Sequence, residues 1–262
     1  MGKNKLKKFA EMTNFPHVFQ PSFEQLKSEG FNLKGRWNEL FFKNNHPIVL
    51  ELGCGRGEYA VGLAKLFPEK NFIGIDIKGA RMWAGAKQSE EEKLSNVAFL
   101  RTVIEQLDSF FASEEVSEIW ITFPDPQMKK VRKRLTSTRF IQLYQRILRP
   151  DGLLHLKSDS PFMYGYTRAM AEANGFVKEV DTDNLYQSGM ADEILSIKTA
   201  YERQWLERGM NIRYLRIVVT QKSSLVEPDI ELEPDEYRSF GRSRRSQQTS
   251  SDLLEKEERA YS

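Results

Sequence analysis

HPIVLELGCGRGEYAVGLAKLFPEKNFIGID, residues 46–76, decides the fold. The apolar run before Gly53 reads as a short buried strand. Gly53-Cys54-Gly55-Arg56-Gly57 then turns the chain sharply, as glycine permits. Tyr59, Leu63, Leu66 and Phe67 recur at helical spacing, and Pro68 closes that helix. Residues 71–76 form a second strand ending in Asp76. The same alternation continues outward. Helix is expected over 78–94, strand over 96–100, strand over 118–123, helix over 136–148, strand over 152–159, helix over 161–174 and strand over 211–221. In 136–148 the apolar face is Phe140, Leu143, Tyr144, Ile147 and Leu148. Strands alternating with helices imply an α/β fold, a mostly parallel sheet with helices on both faces.

The chain has 262 residues, 40% hydrophobic and 29% charged, as expected of a folded protein. Lys plus Arg is 39 against 37 for Asp plus Glu, a net charge of +2, so any basic surface must be local. One cysteine, Cys54, excludes a disulfide framework and a Cys-rich zinc site. His17, His46 and His155 lie far apart without metal-ligand spacing. The basic start MGKNKLKKFAEM has no apolar core of a signal peptide. No apolar run is long enough to cross a bilayer. We therefore expect a cytoplasmic protein with no membrane or metal partner, a monomer or homodimer. Composition divides the chain into an N-terminal arm (1–33), a central domain (34–222) and a charged tail (223–262). The tail has too few large apolar residues to offset its ordering entropy. We expect it to be disordered, apart from a short helix in SSDLLEKEERA, residues 250–260.

The glycine loop is a nucleotide-type turn. Asp76 ends the next strand, where a carboxylate can accept both hydroxyls of a ribose. The nicotinamide fingerprint requires a glycine where Glu58 stands. Glu51 and Glu58 would also repel a pyrophosphate. An acidic rim suits a ligand with a cationic sulfonium and an ammonium, which points to S-adenosylmethionine. Cys54 reads as a packing residue in a tight loop.

FPDP (residues 123–126) follows the fourth strand and brings Asp125 to the same sheet edge. Eight cations and no acid follow between Gln127 and Pro150: Lys129, Lys130, Arg132, Lys133, Arg134, Arg139, Arg146 and Arg149. A polyanionic substrate explains such a run beside a cofactor edge.

Together VLELGCGRGEYA, NFIGIDIKGAR, ITFPDPQMKK with KRLTSTRF, LKSD (156–159) and TAYERQWLERG (199–209) resemble the tRNA (guanine-N7)-methyltransferase family. The resemblance spans about residues 35–220. It implies a Rossmann-like class I methyltransferase fold, a seven-stranded sheet with an antiparallel last strand. It implies methyl transfer from S-adenosylmethionine to N7 of the guanine at position 46 in the tRNA variable loop. The cofactor positions it carries over are Glu51, Gly53, Gly55, Asp76, Val103 and Asp125, with Asp125 also catalytic. The substrate positions are Lys129, Asp159, Thr199, Ala200, Tyr201 and Glu202, where Asp159 and Glu202 would accept from the guanine edge. Three positions depart from the family pattern. Gln127 replaces a tryptophan, the basic loop is two residues shorter and lacks histidine, and Val103 stands where an acid is usual. These departures are the argument for the alternative, a non-catalytic RNA-binding protein on the same fold.

Overall fold

The computed structural model describes residues 3–236. The helices are α1 (Lys3–Met12), α2 (Phe23–Glu29), α3 (Glu58–Leu66), α4 (Gly79–Glu91), α5 (Leu107–Phe110), α6 (Thr138–Gln145), α7 (Pro161–Ala173) and α8 (Ala200–Leu206). The strands are β1 (Val18–Phe19), β2 (Ile48–Leu52), β3 (Asn71–Asp76), β4 (Val97–Arg101), β5 (Val116–Thr122), β6 (Leu148–Ser158), β7 (Lys178–Thr182) and β8 (Arg213–Val219). One eight-stranded sheet holds them in the order β1-β4-β3-β2-β5-β6-β8-β7. Strands β1 to β6 pair in parallel, whereas β8 runs antiparallel to both β6 and β7. The expected antiparallel last strand is therefore present.

The count of seven strands is corrected to eight. The addition is β1, two residues that pair with Phe99 and Leu100. So short a strand leaves no periodic signal. The helix expected over 136–148 also ends earlier, at Gln145, because β6 begins at Leu148. Asp151 takes φ +58 inside that strand, so the Arg149–Gly152 turn is a bulge rather than a break. The register confirms this: Val116 opposes Leu148, yet Glu118 opposes Leu153.

Every residue of β2 and β5 is buried, as expected for central strands covered on both faces. The segment before β2 is anchored by Trp37, which is fully buried. Its indole N–H donates to the Phe110 carbonyl at 3.0 Å, and Phe19, Phe31, Phe41, Phe42 and Phe111 surround the ring. Removing such a side chain costs about 3–5 kcal/mol. Farther upstream, α1 lies on α4, with Trp83 donating to Glu11 at 2.7 Å.

Composition assigns residues 223 onward to a tail, yet the first part of it is tied down. Asn174 makes two hydrogen bonds of 2.8 Å with the Val226 backbone. The Glu227 carboxylate accepts from the Thr138 N–H (3.1 Å), the Thr138 hydroxyl (2.5 Å) and the Tyr166 hydroxyl (2.5 Å). It thus caps the positive end of α6. Residues 231–236 contain no helix or strand, and the helix expected in 250–260 lies outside the described residues. Among the described residues no helix is long and apolar enough to cross a membrane, and no acid, His or Cys cluster could hold a metal ion.

Cutting the chain after Lys222 removes these bonds, whereas cutting after Ile230 keeps them. At about 1 kcal/mol for a typical hydrogen bond, the shorter variant is expected to melt about 5 °C or more below the longer one. Equal midpoints in calorimetry would show that Val226 and Glu227 add no stability.

Candidate active site

The carboxyl ends of β4, β3, β2, β5 and β6 lie side by side, and each carries a residue singled out in the sequence. Val103 follows β4, Asp76 ends β3, Gly53 follows β2, Asp125 follows β5 and Asp159 follows β6. In an open parallel sheet this edge is where ligands bind.

Asp76 holds the glycine loop in shape. Its Oδ2 accepts from the Gly55 N–H at 2.9 Å, and its Oδ1 accepts from the Lys78 N–H at 2.7 Å. The N–H groups of Gly53 and Cys54 both donate to the Ile75 carbonyl, at 2.8 and 3.0 Å. Gly53, Gly55 and Gly57 all have φ between +57 and +73, which only glycine adopts cheaply. A Cβ added at Gly53 would meet nothing within 4 Å, so the loop leaves open space on that side. The opposite side is closed: a Cβ at Gly57 would lie 2.6 Å from the Phe99 ring, and one at Gly85 in α4 would lie 2.7 Å from the Arg56 carbonyl. Cys54 is buried, and burial pushes its thiol well above its ordinary pKa, as fits a packing residue.

Glu51 lies buried below this loop. It accepts from the Ala60 N–H and the Thr122 hydroxyl, both at 2.9 Å. Burial is the dominant influence and raises its pKa to about 8 against those two hydrogen bonds. Glu58, in contrast, does not join an acidic rim. It accepts from the Ala200 N–H at 3.0 Å and lies 3.5 Å from Arg203, so it tethers α8 to the start of α3.

The FPDP segment has buried prolines and an exposed acid between them. The Phe123 N–H donates to the Lys157 carbonyl at 2.8 Å, which fixes the turn to β6. Phe123 and Gln127 have φ of +50 and +47, uncommon for side chains of this size. Asp125 Oδ1 accepts from the Gln127 N–H at 3.1 Å. Lys129, Lys130, Arg132 and Lys133 follow on the surface, as do Arg139 and Arg149. Two of the eight cations are spent elsewhere: Arg146 pairs with Asp108 at 2.8 Å, and Arg134 is only 5% exposed.

The Thr199–Glu202 stretch starts α8. The Thr199 hydroxyl accepts from the Glu202 N–H at 3.1 Å, capping the helix. Tyr201 is 40% exposed, and its ring lies 5.8 Å from that of Phe123. Glu202 is fully buried and faces Lys157 and Tyr186. Its Oε2 accepts from Lys157 Nζ at 2.9 Å, and its Oε1 accepts from the Tyr186 hydroxyl at 2.6 Å. Lys157 also donates to the carbonyls of Leu195 (2.7 Å) and Ile197 (3.1 Å). Burial pulls its ammonium below the ordinary pKa against the pull of Glu202. Asp159 is fully buried, and its carbonyl accepts from Arg213 at 3.0 Å. Sequence reasoning passed over Thr122, Lys157 and Tyr186. A lysine in the buried run LLHLKSD was the one available signal, because lysine is almost never fully buried unpaired.

The residues fit S-adenosylmethionine: an open glycine loop, a carboxylate at the end of β3 in Asp76, and a buried Glu51 whose carboxylate form a nearby cation would favour. A family model described as "Putative methyltransferase" matches residues 45–215. The solved structure of the 16S rRNA methyltransferase KamB aligns with a TM-score of 0.54 at 16% identity, over 70% of this chain and 92% of that one, a likeness of fold alone. Fold and family model define a class I, S-adenosylmethionine-dependent methyltransferase. The tRNA (guanine-N(7)-)-methyltransferase of Bacteroides thetaiotaomicron is 58% identical over 246 residues, 94% of this chain and 98% of that protein. The enzyme of the same description from Porphyromonas gingivalis is 63% identical over 240 residues, 90% and 98% of the two chains. The chain belongs to the tRNA (guanine-N(7)-)-methyltransferase family.

Glu51 gives a stability signature. It stays protonated in the folded protein up to about pH 8, whereas an unfolded glutamate ionises near 4.5. Its contribution is therefore full below the unfolded pKa and lost as pH rises through the folded one. Glu51→Gln is expected to flatten the fall in urea midpoint between pH 5 and 8. A slope equal to wild type would show that Glu51 is already ionised when folded.

Proposed function

We propose that this chain transfers a methyl group from S-adenosylmethionine to N7 of a variable-loop guanine in tRNA. One observation carries the reading. The glycine loop with Asp76 and the exposed acid of the FPDP turn share one sheet edge, and an exposed run of cations leaves that edge directly. The names and high identity of the relatives favour this reading over a non-catalytic RNA-binding protein. We place its action in the cytoplasm, where a tRNA substrate is met.

S-adenosylmethionine supplies an electrophilic methyl group on a cationic sulfur. Gly53, Gly55, Asp76 and the backbone near Val103 would hold it, with Glu51 beneath. Guanine N7 has an in-plane lone pair and no proton, so no side chain has to act as a base. The work of the protein is to hold the base in line, which is catalysis by proximity. The purine gains positive charge on methylation, and the exposed Asp125 carboxylate would stabilise it. Lys129 and the exposed cations after it would hold RNA phosphates. Tyr201, exposed beside Phe123, would flank the base. Glu202 is engaged by Lys157 and Tyr186, so we assign it to positioning this stretch instead of reading guanine. Asp159, fully buried at the end of β6, would support the substrate side of this edge from beneath and not touch the base.

Incubation with bulk unmodified tRNA and labelled S-adenosylmethionine should give N7-methylguanosine as the labelled nucleoside after digestion. Asp125→Ala is expected to lower turnover at least tenfold, about 1.4 kcal/mol of barrier, with the melting temperature retained. Near-normal turnover would remove Asp125 from the chemistry. Neutralising Lys129, Lys130 and Arg132 together should weaken tRNA binding and reduce its salt dependence. An unchanged salt slope would place the RNA elsewhere.

A further inference from the structure

Arg134 sits in the basic run, where composition assigns it to the nucleic acid. Its surroundings assign it otherwise. At 5% exposure it is the one buried member of the Lys129–Arg134 group. The guanidinium carbon lies 4.7 Å from the centre of the Phe162 ring and 4.5 Å from that of Tyr166, both in α7. Two aromatic faces thus take up the cation. Its Nη2 donates to the Met128 carbonyl at 2.7 Å, and its Nε donates to the Gln127 carbonyl at 3.3 Å. No phosphate could reach this group without displacing those partners.

The carbonyls it holds are significant. Gln127 has φ +47, a conformation that persists only where neighbours over-determine it. Its N–H donates to Asp125 Oδ1, and its carbonyl also accepts from the Lys130 N–H at 2.8 Å. The anchor continues behind the ring, since the Tyr166 hydroxyl donates to Glu227 at 2.5 Å. A line of contacts therefore runs from Glu227 through Tyr166 and Arg134 to the residue that orients Asp125.

The geometry points to Arg134 as a positioning residue for the reaction, a clamp on the Gln127 and Met128 carbonyls that holds the FPDP turn and does not touch RNA. The inference rests on the proposed function only for its kinetic consequence. A planar two-point donor is required, which lysine cannot reproduce.

The test is R134K, which keeps the charge. Trypsin is expected to cut after Lys129, Lys130, Arg132 or Lys133 roughly fivefold faster than in wild type, with sites mapped by mass spectrometry, because the loop opens more often. The kcat with tRNA should fall roughly tenfold while S-adenosylmethionine affinity holds within twofold. The salt slope of tRNA binding should match wild type in R134Q, whereas Lys129→Ala lowers it by roughly 0.7–0.9. Unchanged cleavage in R134K overturns the clamp, and so does a lowered salt slope in R134Q. If R134K fails to reach the wild-type melting temperature, R134Q is read by cleavage in the same way. If wild type itself makes no N7-methylguanosine, the proposed reaction fails, while the cleavage comparison still decides the clamp.

Discussion

The structure depends on one buried ammonium. Lys157 is the penultimate residue of the inner strand β6 and is fully buried, where a charge is costly, and it is taken up by Glu202 and the carbonyls of Leu195 and Ile197. Those acceptors all lie in the chain between β7 and β8. That stretch has no helix or strand before α8. The lysine ties it to the sheet at three points. Removing one partner of such a pair typically costs about 3–5 kcal/mol, because the other charge is left stranded. The Tyr59 hydroxyl, donating to the Ile194 carbonyl at 3.0 Å, and Glu58, on the Ala200 N–H, tie the same stretch to α3. Three side chains from two elements thus fix the start of α8 beside the glycine loop.

The FPDP turn is built on the same plan, with a rigid support below and an exposed carboxylate above. Its prolines are buried, its first residue donates to β6, and Asp125 stands out between them. The cost of an exposed, oriented carboxylate is two residues at positive φ, Phe123 and Gln127. Surrounding hydrogen bonds absorb that strain, as is usual where a loop carries function.

Much of this was legible in the sequence because it is local. The apolar runs gave β2 to β6 and β8, and the glycine loop and Asp76 appeared at the predicted edge. What was missed is short or long-range. β7 has the sequence KEVDT on a sheet edge, mostly half-exposed, and shows no apolar run. α8 has only seven residues. Glu58 looked like part of an acidic rim because its partner Ala200 lies 142 positions away. Arg134 looked like its neighbours because composition counts charges without their directions. Residues 223 onward looked unanchored because a single glutamate, Glu227, provides most of the hold.

Gly57, before α3, and Gly85, inside α4, lie far apart in sequence yet share one point of contact: a Cβ on either would strike the other's neighbourhood, at Phe99 or at the Arg56 carbonyl. Neither position can accept a side chain alone without pushing the loop and α4 apart. The two sites therefore form a mutual lock in sequence space, and a lineage that lost one glycine would have to rebuild the whole wall between turn and helix before the pocket could close again.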